Sequence, residues 1–239
     1  MSHGAAALAL ALALAVTACG RIDFEPRTDG DASGCGHTFC DDFDRAGPVE
    51  AGWTSIETTG GTLALDPAGA VSAPNGLLAT VPFPLTGDVF LGEALPAITQ
   101  SVHLTFDLDL EATTPGAEMD LVQLRWTDPA PCTAFGYFFV RDSTGPLVMQ
   151  ETYGDCGTAN QNDDLPAADG FHHVDLVVTA GAVGTAALQV AIDGTVVVDK
   201  QVDHAIPPSP LELRLGCPGT RDTTAEWRVR YDNVVVDVR

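Results

Sequence analysis

The run Glu118-Met119-Asp120-Leu121-Val122-Gln123-Leu124-Arg125-Trp126 puts two carboxylates, an amide and a guanidinium into one short span. Side chains of these types on one strand face grip a polar ligand through hydrogen bonds, Asp120 accepting from hydroxyls and Arg125 donating. Read as a regular strand, the span is confused, because Glu118 and Asp120 then share a side with Val122, Leu124 and Trp126. One extra residue at Leu121-Val122 resolves it, since a β-bulge shifts the parity of everything that follows. Glu118, Asp120, Gln123 and Arg125 then line one face, and Met119, Leu124 and Trp126 the other. Those four polar residues are the ligand-binding candidates.

Other constellations offer less. Asp42, Asp44 and Asp232 supply oxygen ligands that suit calcium, provided that the first and last strands lie side by side. The competing reading makes them turn carboxylates that bond their own backbone. His172 and His173 are adjacent in an extended segment, so they point to opposite faces and cannot share one ion. Asp29-Gly30-Asp31-Ala32-Ser33-Gly34 opens like a calcium loop, but Cys40 stands where the closing Glu is required. There is no G-x-S-x-G elbow, no glycine-rich phosphate loop and no CxxC pair.

The elements that must carry these residues are strands. Val102, Leu104, Phe106, Leu108 and Leu110 alternate with His103, Thr105, Asp107, Asp109 and Glu111, the period of a strand with one wet face. Similar runs cover 62–65, 77–81, 119–126, 135–141, 147–153, 173–179, 188–192, 195–202, 211–215 and 227–238. Asp193-Gly194 between two of them is a hairpin signal. No stretch has the period of an amphipathic helix. About a dozen strands broken by Gly, Pro and Asp imply two packed antiparallel sheets, an all-β jelly-roll sandwich.

Three segments carry a family likeness: Phe39-Cys40-Asp41-Asp42-Phe43-Asp44, then Phe171-His172-His173-Val174-Asp175-Leu176 leading to Val190-Ala191-Ile192-Asp193-Gly194, and Tyr231-Asp232-Asn233-Val234. Together they resemble the concanavalin A-like lectin/glucanase superfamily, particularly its laminin G-like members, over 39–239. The resemblance implies a domain that binds glycans or envelope proteins. Glu118-x-Asp120-x-x-Gln123 in turn resembles the E-x-D-x-x-E motif of laminarinase-type glycoside hydrolases of this fold, whose last Glu donates the proton. An amide cannot deliver that proton, and retaining hydrolysis needs two carboxyls. The expectation is therefore a carbohydrate-binding module without catalysis; the alternatives are a degenerate or unusual glycosidase of that type and a protein-binding structural lipoprotein.

The start of the chain fixes where it should work. Ala5 to Val16 is an unbroken apolar run, too short for a permanent span of roughly 20 residues and shaped like a signal peptide. Val16-Thr17-Ala18-Cys19 resembles the bacterial lipobox, which implies cleavage before Cys19, lipid on that cysteine and, with Gly20 following, the outer membrane. Residues 1–18 are read as signal peptide, 19–38 as a flexible tether and 39–239 as the domain. The net charge is -22 with 11 Lys and Arg, which argues against nucleic acid; membrane contact is expected through the lipid alone, and the domain is expected to be a monomer. Calcium is the one cofactor that the sequence suggests. Export suggests disulfides among the six cysteines. A hairpin about Thr144 sets Cys132 opposite Cys156, Cys35 and Cys40 are near enough to close a local loop, and Cys217 is left buried or exchangeable.

Overall fold

Period-two alternation over almost the whole chain becomes strand in the structure, a computed structural model that describes residues 35–84, 87–112, 118–127, 135–141, 147–153, 159–166, 170–221 and 226–239. The strands are β1 (Phe39–Asp41), β2 (Ser55–Glu57), β3 (Thr62–Asp66), β4 (Gly76–Val81), β5 (Val89–Leu95), β6 (Ser101–Ala112), β7 (Glu118–Trp126) and β8 (Phe135–Arg141). They continue with β9 (Leu147–Tyr153), β10 (Ala159–Leu165), β11 (Phe171–Thr179), β12 (Ala187–Ile192), β13 (Thr195–Gln201), β14 (Leu211–Cys217), β15 (Thr220–Arg221) and β16 (Trp227–Val238). Pro67–Gly69 forms a single 3-10 turn, capped by the Asp66 carboxylate, which accepts from the Ala68 N–H.

Two antiparallel eight-stranded sheets pack face to face. The first runs β13-β12-β11-β6-β16-β4-β3, with β1 beside β16; the second runs β10-β9-β8-β7-β14-β5-β2, with β15 beside β7. The chain is thus the two-sheet antiparallel sandwich that the alternation predicts, and its first and last strands are neighbours, Cys40 pairing with Val235. Between the sheets lie the inward residues of β6, β11 and β16 against those of β7, β8 and β14. Phe106 and Phe139 meet there edge to face at 5.4 Å, an arrangement that contributes about 0.5–1.5 kcal/mol beyond area burial.

Turn chemistry sets the registers. Asp193 and Gly194 both take positive φ, the two-residue turn that matches strand twist, and Ile192 pairs with Thr195 across it. The β8–β9 pairs from Arg141↔Leu147 to Gly136↔Thr152 centre on residue 144. Cys132 and Cys156, expected to bridge the ends of that hairpin, lie outside the described residues, as do residues 1–34 with the signal peptide, lipobox and most of the tether. Cys35 and Cys40 form a disulfide with Cα atoms 6.5 Å apart, and Cys217 is fully buried in β14.

Candidate functional site

The outer face of the second sheet is built around an irregularity in β7. On the β8 side, Asp120 pairs with Val140 and Val122 with Phe139, so Leu121 has no partner there. On the other side, Val122 pairs with Leu215 of β14 and Met119 with Thr220 of β15, so residues 120–121 face the longer segment 216–219. The chain carries a bulge at Leu121 and its parity changes there. Met119, Leu121, Val122, Leu124 and Trp126 are all buried in the core, while Asp120, Gln123 and Arg125 face outward. The Glu118 side chain lies outside the described set.

Of the sequence candidates, the structure brings Asp120 and Gln123 into direct contact. Gln123 Nε2 donates to Asp120 Oδ2 at 2.6 Å and to the Pro218 carbonyl at 3.2 Å. The Gln123 Oε1 is buried and accepts no hydrogen bond. Its cross-strand partner on β14 is Arg214, which the sequence reading did not select. Arg214 stacks on the Phe90 ring at 4.6 Å, and its Nη2 lies 3.0 Å from Glu212 Oε2. Its Nε is buried without a partner. Arg125 Nη1 stands 3.9 Å from the same Glu212 oxygen, so two guanidiniums converge on one carboxylate. Burial, then the nearby Arg214 charge, lowers the Arg125 pKa, although the group stays cationic at any ordinary pH.

A cross-strand pair that offers one unpartnered acceptor and one unpartnered donor is costly at rest. A buried polar group left unsatisfied costs about 1–3 kcal/mol, and such groups in a native fold call for a ligand or a water. Space beside the pair is kept by glycine: a Cβ on Gly219, whose φ is +91°, would come within 2.9 Å of Asp120 Oδ2. Alternation in Leu211-Glu212-Leu213-Arg214-Leu215 was the signal that could have found Glu212 and Arg214. What it lacked was the adjacency of β14 to β7, a pairing between strands far apart in sequence.

The calcium candidates are each engaged by backbone donors, and burial, helped by the charge of Asp42, raises the Asp44 pKa. Asp42 accepts from the Asp44 N–H at 3.1 Å, and Asp44 accepts from the Asn75 N–H at 2.9 Å. Asp232, on β16, takes the N–H groups of Val71 and Ser72, each at 2.8 Å, together with that of Asn233. Burial pushes its carboxyl up to about 7, against the pull of those donors. Among the described residues no three His, Cys, Asp or Glu side chains are placed to hold a metal ion. Only the Asp42–Asp44 and Asp232–Asn233 bonds are local turn bonds; Asp44 and Asp232 otherwise hold the distant segment 71–75. His172 and His173 point to opposite sides, the first to Asp193 and the second to Asp107 at 2.8 Å.

No family model matches the chain, and no curated protein matches it. Solved structures do. An endo-β-1,4-glucuronan lyase from the fungus Trichoderma reesei superimposes with a TM-score of 0.68 over 85% of this chain and 96% of its own, at 14% identity. The cellulose-induced protein Cip1 gives 0.59 over 83% and 96%, at 15% identity. Alginate lyase Aly36B gives 0.52 over 83% and 95%, at 12% identity. At such identities the likeness establishes the fold, a sandwich compatible with the lectin/glucanase type.

These neighbours correct one expectation. The chain was expected to be without catalysis because Gln123 removes a proton donor, but that argument reaches only retaining hydrolases. Polysaccharide lyases use this sandwich too, and elimination starts by removing a proton next to a carboxylate, not by protonating a leaving oxygen from a paired carboxylic acid. The missing Glu does not exclude enzyme activity.

Proposed function

We propose that the chain is a carbohydrate-active sandwich that takes a carboxylate-bearing polysaccharide across the outer face of the second sheet and cleaves it by β-elimination, held at the outer membrane by a lipid on Cys19. The observation that carries this reading is the Gln123–Arg214 pair, a buried acceptor and a buried donor without partners, with Arg125 beside them. A sugar acid offers what they lack: carboxylate oxygens for the guanidiniums and a hydroxyl for the amide oxygen. Charge-assisted bonds of this kind are about twice as strong as neutral ones, and Arg presents a planar fork suited to a carboxylate. Neutralising the substrate carboxylate acidifies the neighbouring C–H; its proton passes to the Asp120 carboxylate, the C–O bond to the leaving sugar breaks to give an unsaturated uronate, and water protonates the departing oxygen. Asp120, fixed by Gln123, accepts from a sugar hydroxyl. The neighbours named as glucuronan and alginate lyases support acidic polymers over neutral ones as the substrate class.

The test incubates the protein with glucuronan, alginate and a neutral β-glucan and follows the ultraviolet absorbance of an unsaturated uronate. Absorbance should rise with an acidic polymer and stay flat with the neutral one. No rise with any acidic polymer, or an equal response to the neutral glucan, overturns the reading. The anchor is tested separately: wild type should partition into detergent and Cys19→Ala should not.

A further inference from the structure

We infer that Tyr231, a core residue of the opposite sheet, is the positioning residue of this face. It rests on the reading of that face given above. Tyr231 is fully buried on β16, and its hydroxyl lies 2.8 Å from the Leu121 carbonyl and 2.5 Å from that of Gly216. One hydroxyl hydrogen is shared between two acceptors, so the phenol ties them into a three-centre bond. The two carbonyls belong to the two irregularities that create the site. Leu121 is the bulge residue with no cross-strand partner on either side, and Gly216 is where β14 leaves β7.

Gly216 itself is bent, with φ +138°, and a Cβ there would press to 2.4 Å from the Val89 carbonyl oxygen. The bend therefore has no side chain of its own to hold it, and it is held from beneath. Gln123 lies two residues after Leu121, and Arg214 two residues before Gly216. A single phenol thus fixes both strands at the point where their ladder is open, and with them the separation of the Gln123 amide from the Arg214 guanidinium. Burial raises the Tyr231 pKa well above the usual tyrosine value, so the hydroxyl keeps its proton and remains a donor. The sandwich core, in this arrangement, sets the geometry of a site on its outer surface.

The experiment compares Tyr231→Phe with Val229→Ala, a change at a fully buried residue on the same strand whose side chain has no hydrogen-bonding atom. Both are measured at a temperature where they remain folded. Tyr231→Phe should move the Gln123 side-chain amide resonances and lower kcat/KM on the acidic polymer about tenfold, the loss expected for one buried hydrogen bond. Val229→Ala should leave both unchanged. Wild-type resonances for Gln123 in Tyr231→Phe, or the same displacement in Val229→Ala, overturns the inference. If no polymer is turned over, the proposed function fails while the Gln123 resonances still decide this point. Should Tyr231→Phe not fold, the wild-type hydroxyl proton of Tyr231 decides it: slow exchange and cross-peaks to Leu121 and Gly216 support the tie, and the exchange rate of an open phenol refutes it.

Discussion

Replacing Lys200 by Met should destabilise this protein strongly, for a reason visible where the two sheets meet. Lys200 lies near the end of β13, the edge of the first sheet, and reaches across to the edge of the second. Its Nζ is 2.5 Å from Glu151 Oε1 on β9 and 2.6 Å from Asp163 Oδ2 on β10. Glu151 is 1% exposed, whereas Lys200 and Asp163 are each about a quarter exposed. Methionine keeps the stem and its packing but leaves the buried carboxylate without its cation, with His204 Nε2 at 3.7 Å. Removing one partner of a buried pair costs about 3–5 kcal/mol. The reverse change, Glu151→Met, leaves a lysine that still reaches Asp163 and water, at a cost of about 1–2 kcal/mol. The double variant should sit closer to Glu151→Met than to Lys200→Met, giving a coupling of about 3 kcal/mol. Denaturant unfolding at constant slope measures all three, and a drop in Tm of about 10 °C is the thermal counterpart for a chain of this size. Burial alone would lower the lysine pKa, but the bonds to Asp163 and Glu151 outweigh it and raise it. The contribution is therefore full below the ordinary lysine value of about 10.4 and fades as pH rises through the higher folded value. A Lys200→Met cost under about 1 kcal/mol, or a Glu151→Met cost just as large, would refute the reasoning.

Arg214→Ala and Arg125→Ala should each weaken retention in gels containing an acidic polymer by about tenfold or more while leaving the fold intact; unchanged retention in both would remove the guanidiniums from the site. The His173 pKa is raised, first by its hydrogen bond to Asp107, so this pair stabilises fully below about 6.5 and fades as pH rises through the higher folded value. His173→Gln should flatten the stability profile across that window, and a profile parallel to wild type would count against the pair. Peptide mapping without reductant should recover Cys132 joined to Cys156, since the β8–β9 register centres on the residue midway between them; finding either cysteine alkylated in the native protein would discard the bridge.

Alternation made most of the sheets readable before any coordinates. The runs 135–141 and 147–153 are strands with those same ends, and even the bulge at Leu121 follows from the requirement that Trp126 be buried while Asp120 is wet. β1, β2 and β15 are only two or three residues long, too short to show a period, while two longer strands escaped for opposite reasons. β10, Ala-Asn-Gln-Asn-Asp-Asp-Leu, is an edge strand whose outward residues meet water, so it carries almost no apolar signal. β5, Val-Phe-Leu-Gly-Glu-Ala-Leu, hides its alternation because its outward Phe90 is covered by the Arg214 guanidinium. That same contact explains why half of the site was missed. Asp120, Gln123 and Arg125 are close in sequence and declare one another, whereas Arg214, Glu212 and Tyr231 join them only through long-range pairing and inter-sheet packing.

The substitution that closes one mechanism is informative about the other. At position 123 an acid would carry a proton to a leaving oxygen; the amide there cannot, and its N–H groups are already spent on Asp120 and Pro218. What remains is an oxygen that can only accept, opposite an Arg214 Nε that can only donate. A neutral glucan would satisfy the acceptor with a hydroxyl, yet it has no charge to set against two guanidiniums that both lie against the carboxylate of Glu212. A uronate satisfies both groups at once and competes with Glu212 for the cations. Glu212→Gln should for that reason tighten binding of an acidic polymer and leave a neutral one unaffected. If that change instead weakens acidic-polymer binding, Glu212 holds the arginines in place for the ligand, and its carboxylate is not a rival for them.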